Sequence, residues 1–148
     1  MRRFVSMIPL VCCAMALGFP AQAAPPADPV GADGLRDSQV ADFVAAAKAA
    51  LRSDSTAKVV DLMSFPFLYD CGGLVMRMDK SSVLALGAGA VPSEVREAIM
   101  KQEPSAMLRN WKGAMFGDGQ AWMDGICVDG ACVEARPRLV MFNACPRQ

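Results

Sequence analysis

The chain has 148 residues, with 15 Lys and Arg against 15 Asp and Glu, and no histidine. That length suits one domain with an ordinary core, and the even charge balance leaves no footprint for nucleic acid or an anionic membrane surface. The missing histidine excludes His-ligated zinc, Ser-His or Cys-His catalysis and an imidazole switch near neutral pH.

The first residues read as an export signal. Arg2 and Arg3 give a positive start, Phe4 to Phe19 is apolar, and Ala21-Gln22-Ala23 has the small-x-small pattern a signal peptidase cuts after. The apolar run is short for a bilayer span, and Pro9 interrupts it. The expectation is a signal peptide over 1–23, no membrane span after cleavage, and a periplasmic or secreted mature protein. Losing Arg2 and Arg3 leaves 13 basic against 15 acidic side chains, a net charge of −2. Residues 24–36, mostly Pro, Ala and Gly, have little to bury and are expected to form a flexible N-terminus. A single domain is expected over 37–148.

That domain opens on the clearest helix. Val40, Phe43, Val44, Ala47 and Leu51 recur at helical spacing, with Asp37 or Ser38 as caps and Asp42, Lys48 and Arg52 off the stripe. A short second helix is expected after Ser55, through Val59, Val60 and Leu62. The proline in Phe65-Pro66-Phe67 ends it and starts extended chain. Phe67 to Cys71 and Leu74 to Met78 read as a hairpin about Gly72-Gly73. A third helix is expected from Pro92 to about Gln102, with Val95, Ala98 and Ile99 buried. The remainder is strand-like, broken at Gly117-Asp118-Gly119 and at Asp129-Gly130. Helices first and strands later is an α+β order.

Cys12 and Cys13 leave with the signal, so four cysteines remain: Cys71, Cys127, Cys132 and Cys145. An even number in an exported chain points to disulfides. Asp129-Gly130 suits a two-residue type I′ turn, which would set Cys127 opposite Cys132 as a non-hydrogen-bonded pair. Cys71 is then left for Cys145. A four-cysteine zinc site fits less well, because structural zinc favours two closely spaced pairs.

The stretches Asp42 to Phe67, Val91 to Gln102, Asn110 to Gly125 and Leu139 to Ala144 resemble small exported bacterial domains of the NTF2-like, cystatin-like α+β group. The resemblance implies a cone: a curved antiparallel sheet packed on the long first helix, with room for a pocket between them. It does not carry a function, because the fold is shared by unrelated activities.

Chemistry of the NTF2-like isomerase and dehydratase kind would need a carboxylate base and a hydrogen-bond donor in that cone. Asp70, Asp124, Asp61 and the lone Tyr69 are the residues at hand. Tyr69 and Asp70 are neighbours, so in a strand they point to opposite faces. Met76 and Met78 share a strand face at a spacing thioether copper sites use, although two ligands are few and methionine also fills cores. Trp111 and Trp122 are candidates to floor a pocket or anchor a partner, weighed against core packing. The candidate ligand-binding set is thus Tyr69, Trp111, Trp122, Met76 and Met78. No catalytic residue, metal or cofactor is implied, and the residues favour a non-catalytic protein over an enzyme. The expected function is binding of a small apolar ligand or an envelope protein partner, with homodimerisation open. The rivals are a lyase or isomerase with an Asp in the cone, and an envelope inhibitor of a hydrolase.

Overall fold

The computed structural model describes residues 28–147, and the expected signal peptide lies outside them. Helix α1 (Asp37–Arg52) buries Val40, Phe43, Val44, Ala47 and Leu51, the stripe its spacing foretells, and Ala50 besides. Helix α2 (Thr56–Val60) starts after Ser55 as expected. Strand β1 (Met63–Asp70) begins before Pro66 and runs through it, so the proline sits inside the strand. Strand β2 (Val75–Met78) returns from it antiparallel across Gly72-Gly73. Both glycines have positive φ, +70° and +98°, the backbone a tight primed turn needs.

Helix α3 (Lys80–Ala85) and a 3₁₀ turn over Gly87–Ala90 were not anticipated. The signal for α3 is local: Asp79 caps it by accepting from the Ser82 N–H at 2.7 Å. Helix α4 (Ser93–Lys101) follows Pro92 and buries Val95 and Ile99, leaving Ala98 half-exposed. The chain ends in β3 (Leu108–Asn110), β4 (Gly113–Phe116), β5 (Ala121–Cys127) and β6 (Ala135–Phe142).

The result is an α+β domain with one curved six-stranded sheet in the order β2-β1-β6-β5-β4-β3. The expected antiparallel sheet is corrected to a mixed one, because β6 enters between β5 and β1 and runs parallel to β1. That position buries both sides of β6 in backbone hydrogen bonding. Its inner face carries Leu139 and Phe142, and Phe142 meets Phe67 and Tyr69 edge-on at 4.8 and 5.8 Å. Each fully buried aromatic or aliphatic side chain of this kind contributes roughly 1.5–3 kcal/mol.

Residues 28–36 are a second correction. Far from being free, they fold back on α1 as a strap. Asp28 accepts from the Ser38 N–H and hydroxyl, Val30 bridges Arg36, and Leu35 is wholly buried. The helix therefore takes a cap from outside its own sequence neighbourhood. The buried Asp33 carboxylate receives the Arg109 guanidinium on both oxygens, at 2.7 and 2.8 Å. Arg109 also donates to the Leu35 carbonyl and to Asp37 in the first turn of α1. Burial alone would raise the Asp33 carboxyl, but the Arg109 and Leu35 N–H hydrogen bonds outweigh it and hold it below the usual aspartate range.

Two disulfides are present, Cys71–Cys145 and Cys127–Cys132, and such bonds fit a chain that matures in an oxidising compartment. The second does not span a two-residue hairpin. Cys127 lies opposite Ala135, and the connection runs over seven residues, 128–134. Asp129 explains the difference. Its carboxylate accepts from the Ala131 and Val133 N–H groups, and the Cys132 N–H bonds to the Asp129 carbonyl. The side chain thus builds its own turn, and Cys132 rather than Gly130 takes the positive φ.

Candidate functional site

Strand alternation sorts the sheet into two faces. Phe67, Tyr69, Ala114, Phe116, Ala121, Met123, Leu139 and Phe142 point inward and are fully buried. Their neighbours point away from the core. Register sets one outward row across all six strands: Arg77, Leu68, Met141, Trp122, Met115 and Leu108. Five of these six are apolar, and Leu108 is 52% exposed. Trp111, in the β3–β4 turn beyond the row, is 78% exposed, with the Lys112 ammonium 5.1 Å from its ring centre. A large side chain left this bare marks a surface more informative than a scatter of exposed leucines.

The centre of this face is hollowed. Leu68, Trp122, Val140 and Met141 floor a groove of about 370 Å³, rimmed by Asp70, Lys112 and Asn143. Val140 reaches it because β6 carries one extra residue there: Trp122 pairs with Met141 while Met123 pairs with Leu139. One step along the strands, Asp124 lies opposite Arg138 on the same outward face. The two form no ion pair among the described residues; Asp124 accepts only from the Gly125 N–H, at 2.8 Å. Burial raises its carboxyl above the usual aspartate range, only partly opposed by that hydrogen bond.

The candidate residues read from sequence fall on both sides of the sheet. Tyr69 is in the core, its hydroxyl donating to the Ala90 carbonyl at 2.8 Å, and burial raises its pKa to about 12. Met76 and Met78 are register partners of Tyr69 and Phe67 and pack on the core. Neither tryptophan is a core residue: Trp122 sits on the outward row and Trp111 at its edge. The carboxylates do not converge with the tyrosine. Asp70 points outward, as its neighbour's burial requires, and Asp61 pairs with Lys80 on the surface at 2.9 Å. Asp33 is the one acidic side chain buried among the described residues, and Arg109 occupies both its oxygens. That arrangement locks a strap, and the Asp33 side chain has no exposure to solvent.

A second exposed feature is the stapled loop. Residues 126–134 are exposed throughout, and Val133 is 87% exposed. A third is a polar cleft of about 430 Å³ between α4 and the β4–β5 turn, lined by Glu94, Glu97, Glu103 and Asp118. Its Glu97 is paired with Lys101 and its Glu103 with Lys48.

Leu68, Met115, Met141 and Leu108 were not singled out from sequence. Strict alternation against Phe67, Tyr69, Phe116 and Phe142 would have put the first three outside. What the sequence lacks is the strand order that joins them into a row. No protein-family model, no curated protein and no solved structure matches this chain.

Proposed function

We propose that this protein is an exported, non-catalytic NTF2-like domain, periplasmic or secreted, that binds a protein partner through its outward sheet face. The observation that carries the reading is the five-residue apolar row of Leu68, Met141, Trp122, Met115 and Leu108, extended by Trp111. Aromatic and methionine side chains at the middle of a patch with charges at its rim are the composition of an interface centre. The NTF2-like cone is supported by the element order: long helix, short helix, hairpin, two further helices, then a run of strands antiparallel to one another. The space between α1 and the sheet is taken up by Phe67, Tyr69, Phe116 and Phe142, which weighs against an interior apolar ligand and against a lyase or isomerase site there.

Site-specific photo-crosslinking in an exporting host tests it. A photoreactive residue replacing Met115 or Trp122 should give one discrete protein adduct, common to both positions and missing when Lys58 on α2 carries the probe. An adduct-free Met115 and Trp122 would overturn the reading. Extra mass of a few hundred daltons on native protein, lost on Trp122→Ala, would move the face from protein recognition to a small apolar ligand in the groove.

A further inference from the structure

We infer that the partner enters the outward groove as an extended segment with an apolar side chain at its middle, a cation at one end and an anion at the other. This deepens the proposed function and rests on that face being a binding surface. The observation is a groove with an uncharged floor and two ends of opposite sign. Leu68, Trp122, Val140 and Met141 make the floor. Register places the ends. Asp70 lies two residues beyond Leu68 on β1, and Asn143 lies beside it because Tyr69 pairs with Phe142. Lys112 lies on the other side of the row, next to Gly113, which stands two residues before Met115 on β4.

Neither end charge is matched within the chain. Asp70 accepts from the Gly73 N–H at 2.6 Å, and the Lys112 ammonium rests on the Trp111 ring at 5.1 Å. Among the described residues neither belongs to an ion pair. Asn143 strengthens the acidic end: its Nδ2 donates to the Gly119 carbonyl at 2.6 Å, leaving its amide oxygen as a second acceptor. Asp124 and Arg138 oppose each other one step from the row, which leaves the sign of the far end to Lys112. A like-charged group at both ends would be attracted at one and repelled at the other, whereas opposite charges satisfy both. Spacing agrees. Asp70 and Gly113 stand about 13 Å apart along the strands and about 14 Å apart across three strand spacings, so roughly 20 Å corner to corner. The Asp70 and Lys112 side chains reach inward from those corners, toward the separation of about 13 Å between residues four apart in an extended chain. Side chains at the first, third and fifth positions of such a segment share one face, so cation, apolar group and anion all point at the groove. An aromatic ring at the middle would meet the Trp122 indole and the Met141 sulfur, both favourable contacts. The rim is exposed at Lys112 and Asn143, so the segment's own N–H and C=O groups stay hydrated.

An NMR titration of the oxidised mature protein, isotope-labelled with nitrogen-15, tests this. Three capped pentapeptides are the probes: Lys-Ser-Phe-Ser-Glu, Lys-Ser-Phe-Ser-Lys and Glu-Ser-Phe-Ser-Glu. An extended segment can lie either way round, so the two same-sign peptides are the controls. The mixed peptide should shift the Trp122 indole N–H resonance and bind at least about threefold more tightly than either control, the scale of one exposed charge contact made or lost. Lys112→Glu is the deciding variant. It should lose that order and bind the peptide with two lysines best. Asp70→Asn, which keeps an oxygen for the Gly73 N–H, should bind the mixed peptide and the peptide with two glutamates alike. Misfolding of a variant cannot produce a new preference. No binding, equal binding of all three peptides, or an unchanged order in Lys112→Glu overturns the inference. If crosslinks at Met115 and Trp122 still capture one discrete protein, the binding-face reading survives without this segment chemistry; if they capture nothing, both fall.

Discussion

Replacing Arg109 with alanine should be among the most damaging single changes in the molecule. Asp33 has no side-chain exposure and Arg109 only 16%. Truncating the arginine removes the charged donor from both carboxylate oxygens, leaving Asp33 only the Leu35 N–H; it also takes one of two donors from the Leu35 carbonyl and leaves Asp37 unpaired. Removing one member of a buried pair typically costs about 3–5 kcal/mol, because the other charge is stranded. For a domain of this size that is a fall in Tm of about 10–20 °C. Urea unfolding of oxidised protein, with Asp33→Ala and the double variant completing a cycle, measures it. The two losses should not add; the double variant should be about 2 kcal/mol or more better than their sum. pH gives an independent check. Asp33 is held below the usual aspartate range, so its contribution is whole above that range and is lost as pH falls through the lowered value. The gap between wild type and Arg109→Ala should therefore narrow in strong acid, where a neutral Asp33 no longer needs a cation. A loss below about 1 kcal/mol at neutral pH, the size of an exposed pair, would refute the assignment of a buried lock.

Three further outcomes are expected. Tyr69→Phe should cost about 1–2 kcal/mol, since the buried Ala90 carbonyl loses its donor. In the wild type the phenol should titrate at about 12, and its share of stability, whole below the ordinary phenol pKa, should drain away as pH rises to that value, as ultraviolet titration with parallel unfolding curves would show. Removing Cys71–Cys145, which closes 74 residues, should cost about 4 kcal/mol against about 2 kcal/mol for Cys127–Cys132, which closes 5, measured by denaturation of the paired serine variants. Gly113→Ala should destabilise by more than about 2 kcal/mol in the same unfolding assay, because a Cβ there would collide with the Met123 carbonyl oxygen at a φ of +119°.

The sequence was most legible where a pattern is local. The α1 stripe and the Gly72-Gly73 turn could be read because spacing or turn chemistry decides them; both cysteine pairings came out as expected, although the two-residue turn that suggested them did not form. Reading failed where distant residues decide. Leu35 and Asp33 sit in a stretch whose composition says loop, and only Arg109, 76 residues on from Asp33, makes that loop a strap. Val128 to Glu134 failed for a subtler reason: Asp129-Gly130 is a good hairpin dipeptide, yet the Asp129 side chain satisfies the backbone another way. The outward row was hidden longest. Trp122 was visible as a residue, but that Leu68 and Met115 share its row, with Met141 between it and Leu68, follows from where β6 inserts.

That insertion also sets the order in which the molecule can assemble. Strand β6 is the last in the chain and joins two pieces of sheet that share no ladder with each other: the β1–β2 hairpin and the β3–β4–β5 meander. Until residues 135–142 arrive, the hairpin and the meander each keep a bare edge where β6 will pair. The same topology that places Met141 beside Trp122 thus holds the two pieces of sheet apart until residues 135–142 pair with both, next to the Cys71–Cys145 link.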